Sequence, residues 1–349
     1  MGQAVRVGIA GLGRSGWDIH ARAFEKLPRM YAVVAVADPI RERLDEAEKK
    51  FGCRTYGDFD SFAVDDEVEL AVIATPTYLH ATHAIKALKS GKKVVCEKPM
   101  AARLSEADAM IKAARETGSL LTIFQNKRYW PDFLKVKEVI QSGKLGRVVL
   151  VKISLHSFTR RWDWQTLNEF GGGELRNNAV HLIDQALQLI GNAEPEIFCD
   201  LQRSLTLGDA EDHVKVTLKA PESPVVDIEV SHACTFPQEY WLVMGTAGGL
   251  IGGGTTLRWK YVDLKALPPR TVDAKPTPDR SFNSEELRWT EQTWEQAQDS
   301  VPGDVAFYEA LYGTLRQGRP LEVTPESARR VMSIIEKCYE RCEADDQSP

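Results

Sequence analysis

Val5-Arg6-Val7-Gly8-Ile9-Ala10-Gly11-Leu12-Gly13-Arg14-Ser15-Gly16 decides the fold of this 349-residue chain. A strand-length apolar run leads into three glycines, and in the segment from Trp17 to Phe24 the residues Ile19, Ala23 and Phe24 recur at helical spacing. Strand, glycine turn and helix in that order make a cradle for a pyrophosphate. Gly11 permits the tight turn, Gly13 the close approach of backbone to phosphate, and Gly16 the packing of helix on strand. Leu12, Arg14 and Ser15 share the turn and count with the cofactor-binding candidates. The next apolar run, Ala32 to Ala37, ends in Asp38, whose carboxylate is placed to accept the ribose hydroxyls of NAD. Arg41 and Arg43 follow and offer charge to the extra phosphate of NADP, so NAD is favoured and NADP stays open.

Working outward, residues 1 to about 124 alternate short apolar runs with helical patterns, which predicts a parallel sheet with helices on both faces. Leu70 to Ala74, Val94 to Cys96 and Leu120 to Phe124 read as its further strands. Ligands of such sheets collect at the carboxyl ends of strands, where Thr75-Pro76, Glu97-Lys98-Pro99 and Gln125-Asn126-Lys127-Arg128 stand. Ser105 with Asp108 three residues on reads as a capping-box start for the helix after Lys98. From about residue 145 the strand-like runs Val148 to Ile153, Val214 to Leu218, Val225 to Val230 and Trp241 to Met244 are joined largely by turns, which predicts a large, open, mainly antiparallel sheet. The fold class is therefore α/β: a dinucleotide-binding Rossmann domain over 1–124 and an α+β substrate and oligomerisation domain over 125–349. Leu264 to Asp299, Pro-rich and charged, reads as long surface loops. Two helices close the chain, near Val305 to Arg316 and from Thr324-Pro325-Glu326 with Thr as N-cap, and they can pack back on the first domain. The acidic end from Glu343 reads as frayed.

Composition narrows the function classes. A net charge of -6 and a pI near 5.8 give no basic footprint for nucleic acid. No apolar stretch approaches the roughly 20 residues of a membrane span, and no signal peptide precedes the first strand, so the expectation is a cytoplasmic protein without a membrane partner. The six cysteines are scattered, and the close pair, Cys338 and Cys342, lacks a zinc-site spacing, so no metal is expected.

Gly171-Gly172-Gly173-Glu174 opens a second constellation. Asn177, His181, Asp184 and Gln188 fall on one helical stripe, while Val180, Leu182, Ile183, Ala186 and Leu187 fill much of the remaining surface. A solvated face would carry Lys or Arg, and this stripe has neither. A polar stripe on a buried helix lines a cleft.

The glycine fingerprint, the Pro76 to His80 segment, the run Ala87-Leu88-Lys89-Ser90-Gly91-Lys92-Lys93-Val94-Val95-Cys96-Glu97-Lys98-Pro99 and the triple-glycine helix reaching His181 together resemble the Gfo/Idh/MocA oxidoreductases, over nearly the whole chain. The resemblance implies oxidation of a carbinol by hydride transfer to the nicotinamide, or its reversal, on sugar or cyclitol substrates. It places Lys98 on the reacting oxygen and His181 as proton acceptor or relay, and it implies a homodimer or homotetramer. Glu97, Thr75, Pro76, His80 and Asn126 join Asp38 and Arg43 on the cofactor side. Asn177 stands where many members carry Asp, and an amide cannot take a proton, so base work shifts to Lys98 or His181.

Arg128-Tyr129-Trp130 and Arg160-Arg161-Trp162-Asp163-Trp164-Gln165 supply the hydrogen-bonding and stacking groups a polyhydroxylated ring wants. Arg128, Tyr129, Arg161, Trp162 and Trp164 are accordingly substrate-binding candidates, and Arg161 could also read a carboxylate. The reading is an NAD(P)-dependent dehydrogenase of a sugar, sugar derivative or cyclitol. The alternatives are a glycosidase that retains NAD and oxidises its substrate transiently, and a non-catalytic NAD(P)-binding sensor.

Overall fold

The computed structural model describes residues 3–278 and 280–346, with side chains described to residue 342. The first half builds β1 (Val5–Ala10), α1 (Arg22–Lys26), β2 (Tyr31–Ala37), α2 (Arg41–Phe51), β3 (Arg54–Tyr56), α3 (Phe59–Ala63), β4 (Leu70–Ile73), α4 (His80–Lys89), β5 (Lys93–Cys96), α5 (Leu104–Thr117) and β6 (Leu121–Ile123). Its six strands run in the order β3-β2-β1-β4-β5-β6, all parallel. Helices cover both faces, so the central strands are apolar throughout: every residue of β4 is buried. The order reverses beside β1, and that switch point opens the crevice at the strand ends.

The second half builds α6 (Pro131–Gln141), β7 (Val148–His156), α7 (Val180–Ile190), β8 (Glu196–Gln202), β9 (His213–Lys219), β10 (Val225–Ser231), β11 (Trp241–Gly245), β12 (Gly248–Gly253), β13 (Thr256–Tyr261), β14 (Thr290–Glu295), α8 (Gly303–Gln317) and α9 (Pro325–Asp346). The eight strands are ordered β14-β13-β12-β11-β7-β10-β9-β8, antiparallel except for the parallel neighbours β7 and β10. Burial alternates along β9, because α7 and α9 cover one face and leave the other open.

Three local expectations are corrected. Residues 264–299 are not all loop: β14 pairs antiparallel with β13 and turns Trp294 onto the core, while Glu291 and Glu295 keep it polar at the sheet edge, where charge normally stands. The helix after Lys98 begins at Leu104, and Glu106 rather than Asp108 accepts from the backbone N–H groups of Ala102 and Arg103. Asp108 is instead taken by Arg329 of α9. The chain's acidic end is helical to Asp346, and the last three residues lie outside those described.

Both closing helices return to the first sheet. On α8, Phe307 and Tyr308 enter the core formed by β1 and its neighbours, Tyr31 donates its hydroxyl proton to the Tyr308 carbonyl at 2.7 Å, and Arg316 grips Glu69 at 2.7 and 2.6 Å. The Arg316 guanidinium holds the Glu69 carboxyl down at about 2. Thr324 caps α9 by accepting the Ser327 N–H at 3.1 Å.

Candidate active site

Two of the fingerprint glycines, Gly11 and Gly16, sit where only glycine fits. Gly11 has φ +89°, and a Cβ on Gly16 would run into the Gly11 carbonyl. Nothing lies within 4 Å of where a Cβ on Gly13 would be, so the backbone there faces open space. The helix that follows starts with a wide π-type turn over Ser15–Ala21, a local widening frequent at functional sites. This turn forms one wall of a cleft of about 620 Å³ that also takes in Arg14, Ser15, Asp38, Thr75, Pro76 and Lys98. Glycines needing close approach, a helix start and an open cleft fit a dinucleotide pyrophosphate.

Asp38, 4% exposed, closes one end of the cleft. Its Oδ2 accepts the Leu12 N–H at 2.7 Å and its Oδ1 the Ile40 N–H at 2.9 Å, while Arg43 reaches Oδ2 at 3.3 Å. The carboxylate is thus oriented by backbone, and Arg43 is tied to it rather than turned outward. Phe59 stacks on His83 with ring centroids 3.8 Å apart, and both rings line the cleft. Burial, helped by the nearby His80, lowers the His83 pKa to about 4, keeping that ring neutral. The sequence offered no signal for this pair. His80 bridges the strand-end loops, with Nδ1 2.8 Å from the Pro99 carbonyl and Nε2 2.8 Å from that of Thr75. Two carbonyls ask for a doubly protonated ring, whereas burial lowers the His80 pKa and opposes it.

At the opposite end stand the proton-transfer candidates and their neighbours. Glu97 is buried; its Oε2 accepts the Lys98 N–H at 2.9 Å and its Oε1 lies 3.2 Å from His20 Nε2. His20 Nδ1 in turn lies 2.7 Å from the Tyr308 hydroxyl of α8. Burial would raise the Glu97 pKa, but His20 and Lys98 overcome it and hold the carboxyl at about 2. Lys98 crosses to the second half of the chain and donates to the Asn177 carbonyl at 2.8 Å. Burial pushes its pKa down, Glu97 pulls it back, and Arg14 adds to the fall. His181 is 7% exposed, its Nδ1 has no hydrogen-bond partner, and burial with the charges of Lys98 and Lys127 drives its pKa well below the usual value.

Asn177 contributes its main chain to Lys98, while its amide contacts Glu174 Oε1 at 3.3 Å and Gln165 Nε2 at 3.5 Å. A second π-type turn, Leu175–Ala179, carries the chain from Asn177 into α7 and bends the stripe inferred at helical spacing. Asp184 does not face a cleft: it forms a buried pair with Arg128 at 2.7 and 2.5 Å. Arg128 is thereby consumed, and Tyr129 packs edge-on against Phe307 with centroids 5.9 Å apart, so neither stands in the cleft. Arg161 is held by Asp163 at 2.9 and 2.8 Å and by Gln165 at 2.6 Å. Trp164 lines the cleft, whereas Trp162 is 75% exposed. Asn126 is half-buried outside the cleft lining. Two participants went unread in the sequence. Glu174 lies 3.0 Å from His232 Nε2 and accepts from Asn178 at 2.6 Å, and His20 backs Glu97. Lys127, in the strand-end run read from the sequence, comes within electrostatic reach of His181.

With this geometry in place, comparison with known proteins is informative. Residues 5–125 match the model of the oxidoreductase family with NAD-binding Rossmann fold, and residues 133–251 that of the GFO/IDH/MocA C-terminal domain. An uncharacterized oxidoreductase of Schizosaccharomyces pombe is 29% identical, aligning 97% of this chain with 98% of its own. The scyllo-inositol 2-dehydrogenase (NADP(+)) IolW of Bacillus subtilis is 24% identical over 96% of this chain and 93% of its own. Among solved structures, the WlbA dehydrogenase of Bordetella pertussis in complex with NADH and UDP-GlcNAcA superposes with a TM-score of 0.78 at 22% identity, covering 98% of this chain and 97% of that one. No helix among the described residues is long and apolar enough to cross a membrane. A nucleotide cradle on the first sheet, followed by a second domain of the matching kind, makes this chain a member of the Gfo/Idh/MocA family of NAD-binding oxidoreductases.

Proposed function

We propose that this protein oxidises a hydroxyl of a sugar, sugar derivative or cyclitol, or reduces the corresponding ketone, with Lys98 and His181 moving the proton. The observation that carries this reading is the Lys98 ammonium reaching from the fingerprint cleft to the Asn177 carbonyl, with His181 buried and unpartnered at Nδ1 nearby. Bound NAD supplies the hydride acceptor. One Lys98 N–H is fixed by Asn177, which orients the others toward a substrate oxygen. Its lowered pKa brings proton exchange closer to neutral pH. His181 stays neutral and serves as acceptor or relay, while the Asn177 amide, already engaged with Glu174 and Gln165, holds position only. Asp38 favours NAD over NADP, since Arg43 is turned onto the carboxylate. Trp164 is the aromatic wall this arrangement offers a sugar ring.

The division at 124/125 belongs to the same reading, supported by the end of the first sheet at Ile123. So does assembly as a homodimer or homotetramer: Leu150, Leu242, Met244 and Ile251 adjoin on the open face, with Met244 45% exposed. A cytoplasmic location goes with this soluble-enzyme reading. Absorbance at 340 nm, with NAD and separately NADP and a panel of sugars, uronates, cyclitols and glycosides, tests the activity. The expected result is substrate-dependent NADH accumulation. Aglycone release without net NADH would point to the glycosidase reading, and NAD binding with neither would overturn catalysis.

A further inference from the structure

Glu174 gathers more partners than the oxidation reading uses. It is 5% exposed and stands where the triple glycine passes into the second π-type turn. Its Oε1 lies 3.0 Å from His232 Nε2 and accepts from the Asn177 amide at 3.3 Å and from Arg161 at 3.5 Å, while Oε2 accepts from the Asn178 amide at 2.6 Å. Four donors from three segments thus converge on one buried carboxylate, a group that offers acceptors only. His232 Nδ1 lies 3.2 Å from the Thr159 carbonyl, so both ring nitrogens face acceptors and the geometry asks for an imidazolium. The hydrogen bond to Glu174 raises the His232 pKa in agreement. Burial would raise the Glu174 pKa, but His232 and the two asparagine amides overcome it.

Two routes lead from this carboxylate to Lys98. The first is mechanical: Asn177, tied by its amide to Glu174, presents the carbonyl that accepts from Lys98 at 2.8 Å. Arg161, also on Glu174, holds Gln165 at 2.6 Å, and Gln165 lines the same cleft as Lys98. The second is electrostatic. Against burial, Glu97 and Glu174 favour the Lys98 ammonium, while Arg14 and Arg161 oppose it and Lys127 repels it. We propose that Glu174, paired with His232, is a positioning residue for Lys98: it fixes the turn whose Asn177 carbonyl holds the ammonium and sets a negative charge behind it. The role rests on the reading of Lys98 as the proton-transfer group.

The test reads Lys98 directly and needs no substrate. Labelling of the NAD-free protein with acetic anhydride across a pH series, followed by mass spectrometry, gives the ionisation of Lys98. Glu174→Gln removes the negative charge and meets donors with a donor, so the Lys98 titration should move to lower pH. His232→Gln keeps a donor toward Glu174 and removes the balancing positive charge, so it should move Lys98 to higher pH. Lost packing alone gives no such opposite signs, and His232→Gln decides by itself if Glu174→Gln does not fold. With a substrate in hand, kcat of Glu174→Gln should fall about 10- to 100-fold, the effect of a small misplacement of a reacting group, while NAD affinity stays within a few fold. Glu174→Asp, which keeps the charge, should recover part of both the titration and kcat. An unmoved Lys98 titration, a shift of both variants in one direction, or a wild-type kcat in Glu174→Gln overturns the proposal. Opposite shifts in a protein that oxidises no substrate would remove the oxidation reading and leave the positioning of Lys98 standing.

Discussion

The two ends of the cleft are built in different ways. The nucleotide end comes from one contiguous stretch, in which β1, its glycine turn and the following helix are local in sequence and Asp38 closes the unit through the Leu12 N–H. The reacting end is assembled from three distant segments: Glu97-Lys98, the 126–130 turn, and Asn177 to His181. Backbone geometry does most of the work at the first end, whereas the second depends on charges taken out of water and balanced one against another. A local unit is legible as a pattern. A balance of buried charge is not, because partners remote in sequence decide it.

The largest test of that contrast is Lys98→Ala, expected to lower turnover by about 10²- to 10⁴-fold, the usual range for a positioned proton-transfer group. NAD affinity in the same variant should stay within a few fold by fluorescence titration, and near-normal turnover would remove Lys98 from the mechanism. Gly16→Val should do the reverse at the other end. Its side chain meets the Gly11 carbonyl, so NAD binding should weaken by about 100-fold, since even modest overpacking costs roughly 1–3 kcal/mol. Retained affinity would mean that the turn relaxes.

Acid should loosen the reacting end. Glu97 has a folded pKa of about 2 against 4.5 when free. A depressed carboxylate pKa contributes stability that is full above the unfolded value and is lost as pH falls from about 5 toward 2. Chemical denaturation across that window should show Glu97→Gln losing less stability with acid than the wild type does. Equal slopes would mean that the His20 pair does not hold Glu97. The smallest effect is expected from Trp162→Ala: an exposed ring outside the cleft lining should change kcat/KM by less than about threefold, within the range of ordinary surface substitutions. A larger loss would place Trp162 over the substrate.

Much of the fold could be read because it follows periodicity. The buried strands of the first sheet are continuous apolar runs, and the last helix opens on Thr324 as its cap with Pro325 as its first residue. β14 was missed because an edge strand with glutamates on its outer side looks like a charged loop. In the candidate site, motif and position single out the glycines, Asp38, Lys98 and His181. Arg128 and Arg161 were singled out by residue type, and the sequence carries no sign that Asp184 and Asp163 pair with them. Lys127 stood in the strand-end run read from the sequence, but only the packing of Trp130 and Tyr240 around it shows that it is buried.

The sequence by itself determined the nucleotide cradle, the parallel sheet that carries it and the residue types available for proton transfer, since local backbone sterics and hydrophobic periodicity are written in neighbouring residues. Only the tertiary structure decided which cations are paired and with which acids. Desolvation and ion pairing depend on distances between residues as far apart as Arg128 and Asp184, which no local pattern encodes.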